Sequence, residues 1–510
     1  MHTKATFAQS AAKQYIVHLS ILLTIGLAVG IYLIGTTIVI AKDGVGFIEY
    51  AVDLEAAPAQ AIRAKAQHPG YPFLILMAHR IVQAVNNGSL LASWVHSAQA
   101  AALVFRLLAV GVIYLLGRVL VGPGHSFLAT LILILFPLPA EYGSDALSDW
   151  PALFFLSAGL LLAMRGAAEG KWWMFGLAGL LAGAGYLVRP ECVQLIVYAF
   201  SWLILQLFWS KRGMTRGRLA LALVVLLVGF CAAAVPYMRF KGAVFPKKDL
   251  VQFASGVRAC DGCQAQLQSS SRSVCAAGVT PAGVAEGARE LFAGVGETVM
   301  WFYMPPLIIG VCSSLKRRTW LHPQQFFIIV LIALNVGLLL WLNGRYGYMS
   351  RRHTLPLVAF CTLYVPAGLQ IMASWLCGRI GLSTGRTFAS DGCNRLLFFI
   401  LLVVGICVCT PKLLRPLHHD KVFLRATARW LAANTDIADV IAVPDVRIGF
   451  YSQRKVILCD GDETPEEARY VVDVPKRGRS VLAEKEGLLA EKTIIGDDGM
   501  PKATVYSRQP

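Results

Sequence analysis

Apolar positions in this chain come in long blocks, with no short-period alternation. The first block, Gln14 to Ala41, holds 28 residues without Asp, Glu, Lys or Arg, about 42 Å as an α-helix against roughly 30 Å of bilayer hydrocarbon. The apolar region of a cleaved signal peptide is only about 7 to 15 residues long, so this block reads as a retained transmembrane helix. Ten further blocks lie near 97–117, 126–140, 150–164, 172–188, 192–210, 219–238, 298–315, 324–343, 354–377 and 396–411, giving about eleven spans. The 126–140 block is short and ends in Phe136-Pro137-Leu138-Pro139, which predicts a helix broken or shifted at the membrane face.

The polar stretches define the rest. Two long loops, 42–96 and 239–297, interrupt the blocks. Within the first, Pro69-Gly70-Tyr71-Pro72 opens an apolar run, Phe73 to Val85, broken by His79 and Arg80, as in an interfacial amphipathic helix. After Leu413 the pattern changes abruptly. A helical period over 421–433 is followed by short strand-like runs at 440–443, 455–458 and 470–472. The expected architecture is a polytopic all-α membrane domain, 1–413, and a small α/β extramembrane domain, 414–510. No internal repeat or low-complexity tract is evident.

Composition sharpens this picture. With 56% hydrophobic and 15% charged residues and a mean hydropathy of +0.58, a soluble enzyme is excluded. The net charge of +17 would raise the question of nucleic acid in a soluble protein, but here it sits in short clusters between apolar blocks. With the N-terminus inside, the cytoplasmic segments carry fifteen Lys and Arg against two acids, Glu169 and Asp391, the bias of the positive-inside rule. The reading is therefore a multi-pass plasma (inner) membrane protein with a cytoplasmic N-terminus, an extracytoplasmic C-terminus and no nucleic-acid partner. Twelve Cys are too few for a disulfide scaffold. Cys260, Cys263 and Cys275 lack an evident fourth zinc ligand, and a 263–275 disulfide is favoured over a strained 260–263 bridge.

No P-loop, G-x-G-x-x-G, G-x-S-x-G or H-E-x-x-H motif occurs. Chemistry is sought instead in charges that the topology rule leaves unexplained. Asp43 follows the first span; Glu141, Asp145 and Asp149 precede the fourth; Arg189 and Glu191 lie between the fifth and sixth; Arg345, Arg351, Arg352 and His353 lie between the ninth and tenth. All converge on one membrane face. Carboxylates beside guanidiniums suit a reaction in which a base activates a hydroxyl while cations hold a departing phosphate. Arg106, inside the second span, calls for a carboxylate or phosphate partner, because an unpaired charge at mid-bilayer costs on the order of 2.5 to 3.5 kcal/mol.

The order of these pieces resembles the polyprenyl-phosphate-sugar-dependent glycosyltransferases of the GT-C fold, which include protein O-mannosyltransferases and aminoarabinose transferases. Lys42-Asp43-Gly44 precedes Glu49-Tyr50-Ala51, and His68-Pro69-Gly70-Tyr71-Pro72-Phe73 follows. Phe105-Arg106-Leu107, Ser148-Asp149-Trp150-Pro151, Leu187-Val188-Arg189-Pro190-Glu191, Arg345-Tyr346 and Arg351-Arg352-His353-Thr354-Leu355-Pro356 continue the series. Gly44 stands where the family often has a second acid, which weakens any two-carboxylate or metal-holding role there. The resemblance implies a hexosyl- or pentosyltransferase that takes a sugar from a polyprenyl-phosphate carrier in the membrane lipid and passes it to a glycan, lipid or protein hydroxyl outside. Asp43 would be the base and Asp149 a second catalytic acid. His68, Tyr71, Arg106, Glu141, Arg189, Glu191, Arg345, Arg351 and Arg352 would contact substrate. No cofactor is expected, with a divalent metal left open. A lipid-linked-sugar flippase and a glycan ligase or polymerase are the competing readings.

Overall fold

The computed structural model describes residues 2–85, 90–209, 214–242, 281–316, 322–346, 349–384, 390–459, 464–475, 487–496 and 498–508. Its helices, in chain order, are α1 (His2–Gly35), α2 (Lys42–Ala56), α3 (Pro58–Ala64), α4 (Gly70–Val85), α5 (Leu90–Val121), α6 (Pro123–Leu135), α7 (Pro137–Tyr142), α8 (Asp149–Glu169), α9 (Trp173–Val188), α10 (Gln194–Trp209) and α11 (Arg216–Lys241). They continue with α12 (Pro281–Thr298), α13 (Met304–Lys316), α14 (Pro323–Tyr346), α15 (Leu355–Cys361), α16 (Val365–Thr384), α17 (Ser390–Leu413), α18 (Val422–Asn434) and α19 (Val446–Ser452). Eight stretches of the described residues are long and apolar enough to cross a membrane, with the shorter apolar helices α6, α9 and α13 among them. Each of the eleven blocks read from the sequence falls on one of these.

The differences are local and have local causes. The helix of the third block does break: Phe136, preceding a proline, is extended (φ −65°, ψ 126°), and α7 starts at Pro137. The first long loop is instead mostly helical, forming α2 to α4, and α5 begins seven residues before the predicted span. The eighth block starts late, because Met300 and Trp301 take positive φ and turn the chain between α12 and α13. Residues 281–297, predicted as loop, fall in α12.

Small residues let the bundle close. A Cβ on Gly179 would lie 2.0 Å from the Leu226 carbonyl oxygen, and one on Gly229 2.3 Å from that of Gly176. The backbones of α9 and α11 therefore touch, as glycine-lined membrane helices do. The main core runs through α5, α6, α8, α9, α10 and α13 to α16 around Trp150, Tyr198, Phe327 and Phe360. A second cluster of Ile48, Tyr50, Tyr71, Ile75 and Trp94 packs α2, α4 and α5 together, and Phe450 and Tyr451 of the tail join it.

The tail is a five-stranded sheet in the order β2-β1-β3-β5-β4, built from β1 (Val440–Val443), β2 (Lys455–Leu458), β3 (Tyr470–Asp473), β4 (Leu488–Ile495) and β5 (Pro501–Arg508). β1 runs parallel to β2 and β3; β5 is antiparallel to β3 and β4. The predicted helix and three strands are present; β4, β5 and α19 extend them. The tail is tied to the membrane domain through Ile40 N–H, which donates to the Tyr451 hydroxyl at 3.0 Å, and Ile38 N–H, which donates to the Leu417 carbonyl at 3.3 Å.

Candidate active site

The ends of six segments meet on the face that carries the tail. Asp43 lies in the first turn of α2 and Asp149 in the first turn of α8, where a carboxylate faces the positive end of the helix dipole. Pro151 follows Asp149 without loss, since the first turn of a helix leaves its N–H groups unpaired anyway. Arg189 is the extended residue that ends α9, and Glu191 sits in the 3₁₀ turn Pro190–Val193. Arg351 and Arg352 occupy the 3₁₀ turn Arg351–Thr354 ahead of α15. Glu297 closes α12.

These groups form an alternating chain of charge. Arg352 donates to Asp43 Oδ2 through Nη2, and its Nη1 lies 3.9 Å from Asp149 Oδ2. Arg189 donates to Asp149 Oδ1 and lies 3.5 Å from Glu191. Arg351 pairs with Glu297 at 2.5 Å. Burial divides the two aspartates: the Asp149 side chain is 2% exposed, that of Asp43 49%. Asp149 is thus the hub that holds two guanidiniums, whereas Asp43 faces open space. A buried carboxylate between two arginines fixes both cations; an accessible one can meet a ligand.

Gly44 accounts for the missing second acid. A Cβ at this position would lie 2.8 Å from Ala146 Cβ and 3.0 Å from the Ala146 carbonyl oxygen, so the first turn of α2 lies flat on the loop before α8. Asp145 locks that loop from the other side. Its carboxylate accepts from the backbone N–H of Ala41 at 3.0 and 3.1 Å and of Ala146 at 2.7 Å, and it bonds His418 Nε2 at 2.8 Å. Burial alone would lower the His418 pKa, but the hydrogen bond and charge of Asp145, with Glu141 adding, raise it above the usual imidazole value.

Several expected contact residues lie elsewhere. His68 is buried between the rings of Tyr186 and Tyr237, at centroid distances of 4.8 and 5.4 Å, and holds the start of α4 against α9 and α11. Tyr71 is fully buried and donates to the Ala98 carbonyl at 3.0 Å. Both are buried in this structure. The expected carboxylate or phosphate beside Arg106 is replaced by neutral partners: Arg106 donates to the Ile134 carbonyl at 3.0 Å and to Ser144 Oγ at 3.4 Å, with its guanidinium 5.8 Å from the Trp150 ring. The helix break at Phe136 is what aims the Ile134 carbonyl at it, since no N–H four residues on remains to take that oxygen: position 138 follows a proline turn that starts a new helix. Glu141 faces a different recess, described below. Arg345 lies in the last turn of α14, and its side chain is outside the described residues, as are Cys260, Cys263 and Cys275. Among the described residues no group of three or more His, Cys, Asp or Glu side chains could hold a metal ion.

Sequence reasoning missed Glu297 and His418. Glu297 sits at the end of a helix that the apolar pattern does not reveal. His418 lies beyond the last span in a stretch with no motif, and its role depends on Asp145, 273 residues earlier.

Residues 69–235 match the family model described as dolichyl-phosphate-mannose-protein mannosyltransferase. Among solved structures, the chain is similar to ArnT from Cupriavidus metallidurans bound to undecaprenyl phosphate, with a TM-score of 0.57 and 12% identity over 95% of this chain and 97% of that one. It is also similar to the oligosaccharyltransferase of Archaeoglobus fulgidus in its apo form, with a TM-score of 0.57 and 12% identity over 90% of this chain and 69% of that one. No curated protein matches in sequence. The chain therefore has the GT-C fold, the architecture of the membrane-embedded, polyprenyl-phosphate-dependent glycosyltransferases that its sequence resembles.

Proposed function

We propose that this protein transfers a sugar from a polyprenyl-phosphate carrier to a hydroxyl acceptor at the outer face of the membrane. The observation that carries the reading is the chain Asp43, Arg352, Asp149, Arg189 at one end of the bundle, with Asp43 half exposed and Asp149 buried. An isoprenoid tail in the bilayer fixes its phosphate at the depth of these helix ends. The ArnT structure holds undecaprenyl phosphate, and an Archaeoglobus fulgidus relative, AglB, was solved with an inhibitory peptide and a dolichol-phosphate; both support a carrier of this class.

In this reading the carrier phosphate draws Arg352 from Asp43 and Arg351 from Glu297, so that donor binding itself frees Asp43. The acceptor hydroxyl gives its proton to Asp43, its oxygen bonds the anomeric carbon, and the bond from that carbon to the phosphate oxygen breaks. The electron pair leaves with the phosphate, whose charge the arginines neutralise. Their attraction grows as the charge on the phosphate grows, which stabilises the transition state more than the bound donor. Asp149 keeps both guanidiniums oriented throughout. The test is incubation of the purified protein in liposomes with labelled polyprenyl-phosphate sugars: transfer of label from the carrier supports the reading. Carrier moved across the bilayer with its label intact would replace it with a flippase.

A further inference from the structure

A second recess, of about 290 Å³, lies on the same face between the ends of α1 and α17, lined by Leu33, Pro137, Glu141, Lys412, Arg415 and His418 among others. Helix α7 forms its floor, because the break at Phe136 turns the chain so that Glu141 faces the recess. Among the described residues Glu141, Lys412 and Arg415 make no side-chain hydrogen bond or ion pair, whereas the neighbouring Asp420 is engaged by Lys421 at 3.1 Å. Burial raises the Glu141 carboxyl above the ordinary range, with the charges of His418 and Lys412 opposing and those of Asp145 and Asp420 adding to the rise. The charge is thus split: two exposed cations, neither in a direct ion pair among the described residues, stand at the rim and one recessed carboxyl stands on the floor.

What lies below the recess fixes the kind of ligand. Below Lys412 the outward face of α17 continues as Val408 and Val404, four and eight residues back on the same side of the helix and 41% and 44% exposed. Tyr32 of α1 donates to the Leu414 carbonyl at 2.7 Å and clamps the helix ends together. A ligand here therefore meets a polar recess at the helix ends and an apolar stripe of α17 that runs on from it. A purely anionic headgroup would satisfy Lys412 and Arg415 but press against Glu141. A headgroup carrying a phosphate and a primary ammonium satisfies all three.

We propose that this recess binds a phospholipid with an ethanolamine-type headgroup, the phosphate on Lys412 and Arg415 and the ammonium on Glu141. The three N–H bonds of a primary ammonium can donate to the carboxyl, which a quaternary choline head cannot do. The lipid would seat the last span against α1 and so brace the segment that leads to the tail.

The experiment uses the full chain purified in detergent and supplied with phosphatidylethanolamine, phosphatidylglycerol or phosphatidylcholine of one acyl composition. Retained lipid is counted by native mass spectrometry and thermal stability is read in parallel. Phosphatidylethanolamine should be retained several-fold more than the other two. Glu141→Gln should erase that preference while leaving phosphatidylglycerol retention unchanged or higher, and the double variant Lys412→Ala, Arg415→Ala should lose retention of both. Soluble phosphoethanolamine at the same concentration should give no stabilisation, because it lacks chains for the apolar face of α17. Equal retention of the three lipids by the unaltered protein, an unchanged preference in Glu141→Gln, or full stabilisation by soluble phosphoethanolamine would each overturn the proposal.

Discussion

Arg352 bonds Asp43 across 309 positions of sequence, and the same guanidinium stands 3.9 Å from Asp149. One cation thus touches both carboxylates that the sequence marks as catalytic candidates, and their different burial separates their tasks. Asp43→Asn removes the base but keeps a hydrogen-bond acceptor for Arg352. It should preserve the fold and donor affinity and cut turnover by roughly a hundredfold or more, within the range of general-base contributions. Single-turnover transfer from labelled donor measures this. Asp149→Asn should instead weaken donor binding as well, because both arginines lose their fixed partner. Near-normal turnover in Asp43→Asn beside an inactive, donor-binding Asp149→Asn would exchange the two roles.

Gly44 allows α2 to lie on Ala146, and no side chain fits between them. Gly44→Ala should displace the first turn of α2 by a few tenths of an ångström and cost about 1 to 3 kcal/mol, as overpacked sites do. Turnover should fall further than stability, because the shifted turn carries Asp43. The comparison of melting temperature with kcat in Gly44→Ala and Gly44→Asp decides it; a Gly44→Asp protein with full activity would show that the contact yields.

The Asp145 to His418 hydrogen bond links the loop before α8 to the segment entering the tail. His418 has a raised pKa in the folded protein, so the protonated form is the one that folding favours. Its contribution is then fully present below the unfolded value near 6.5 and is lost as pH rises through the higher folded value. Thermal stability should decline over that alkaline limb, by about 1.5 to 3 kcal/mol for a charged hydrogen bond. His418→Gln should flatten the pH dependence. An unchanged profile in His418→Gln would assign the titration to another group.

Arg106 is fully buried and, among the described residues, bonded only to neutral groups. Arg106→Met should therefore destabilise the protein by roughly 1 to 3 kcal/mol, since the Ile134 carbonyl and the Ser144 hydroxyl lose their donor. The KM for the donor should not change. A raised KM at unchanged melting temperature would return Arg106 to the substrate-contact role that its place in the second span first suggested.

How much of this was legible in the chain follows from which interactions are local. The apolar blocks by themselves located the long apolar helices of the membrane domain, because desolvation in a bilayer is decided residue by residue and needs no partner. Pro137 determined the break that forms α7, and the runs at 440–443, 455–458 and 470–472 determined three of the five tail strands. The clustering of Asp43, Asp149, Arg189, Arg351 and Arg352 on one face followed from counting spans. Which acid pairs with which arginine did not follow, since that depends on how helix ends far apart in sequence come together. Tertiary structure alone buried Tyr71 and His68 in packing, gave Arg106 a carbonyl where a charge was expected, and turned Glu141 into a separate recess. It alone also explained Gly44, for the absence of a side chain has no meaning until the surface that would collide with it, Ala146, is in place.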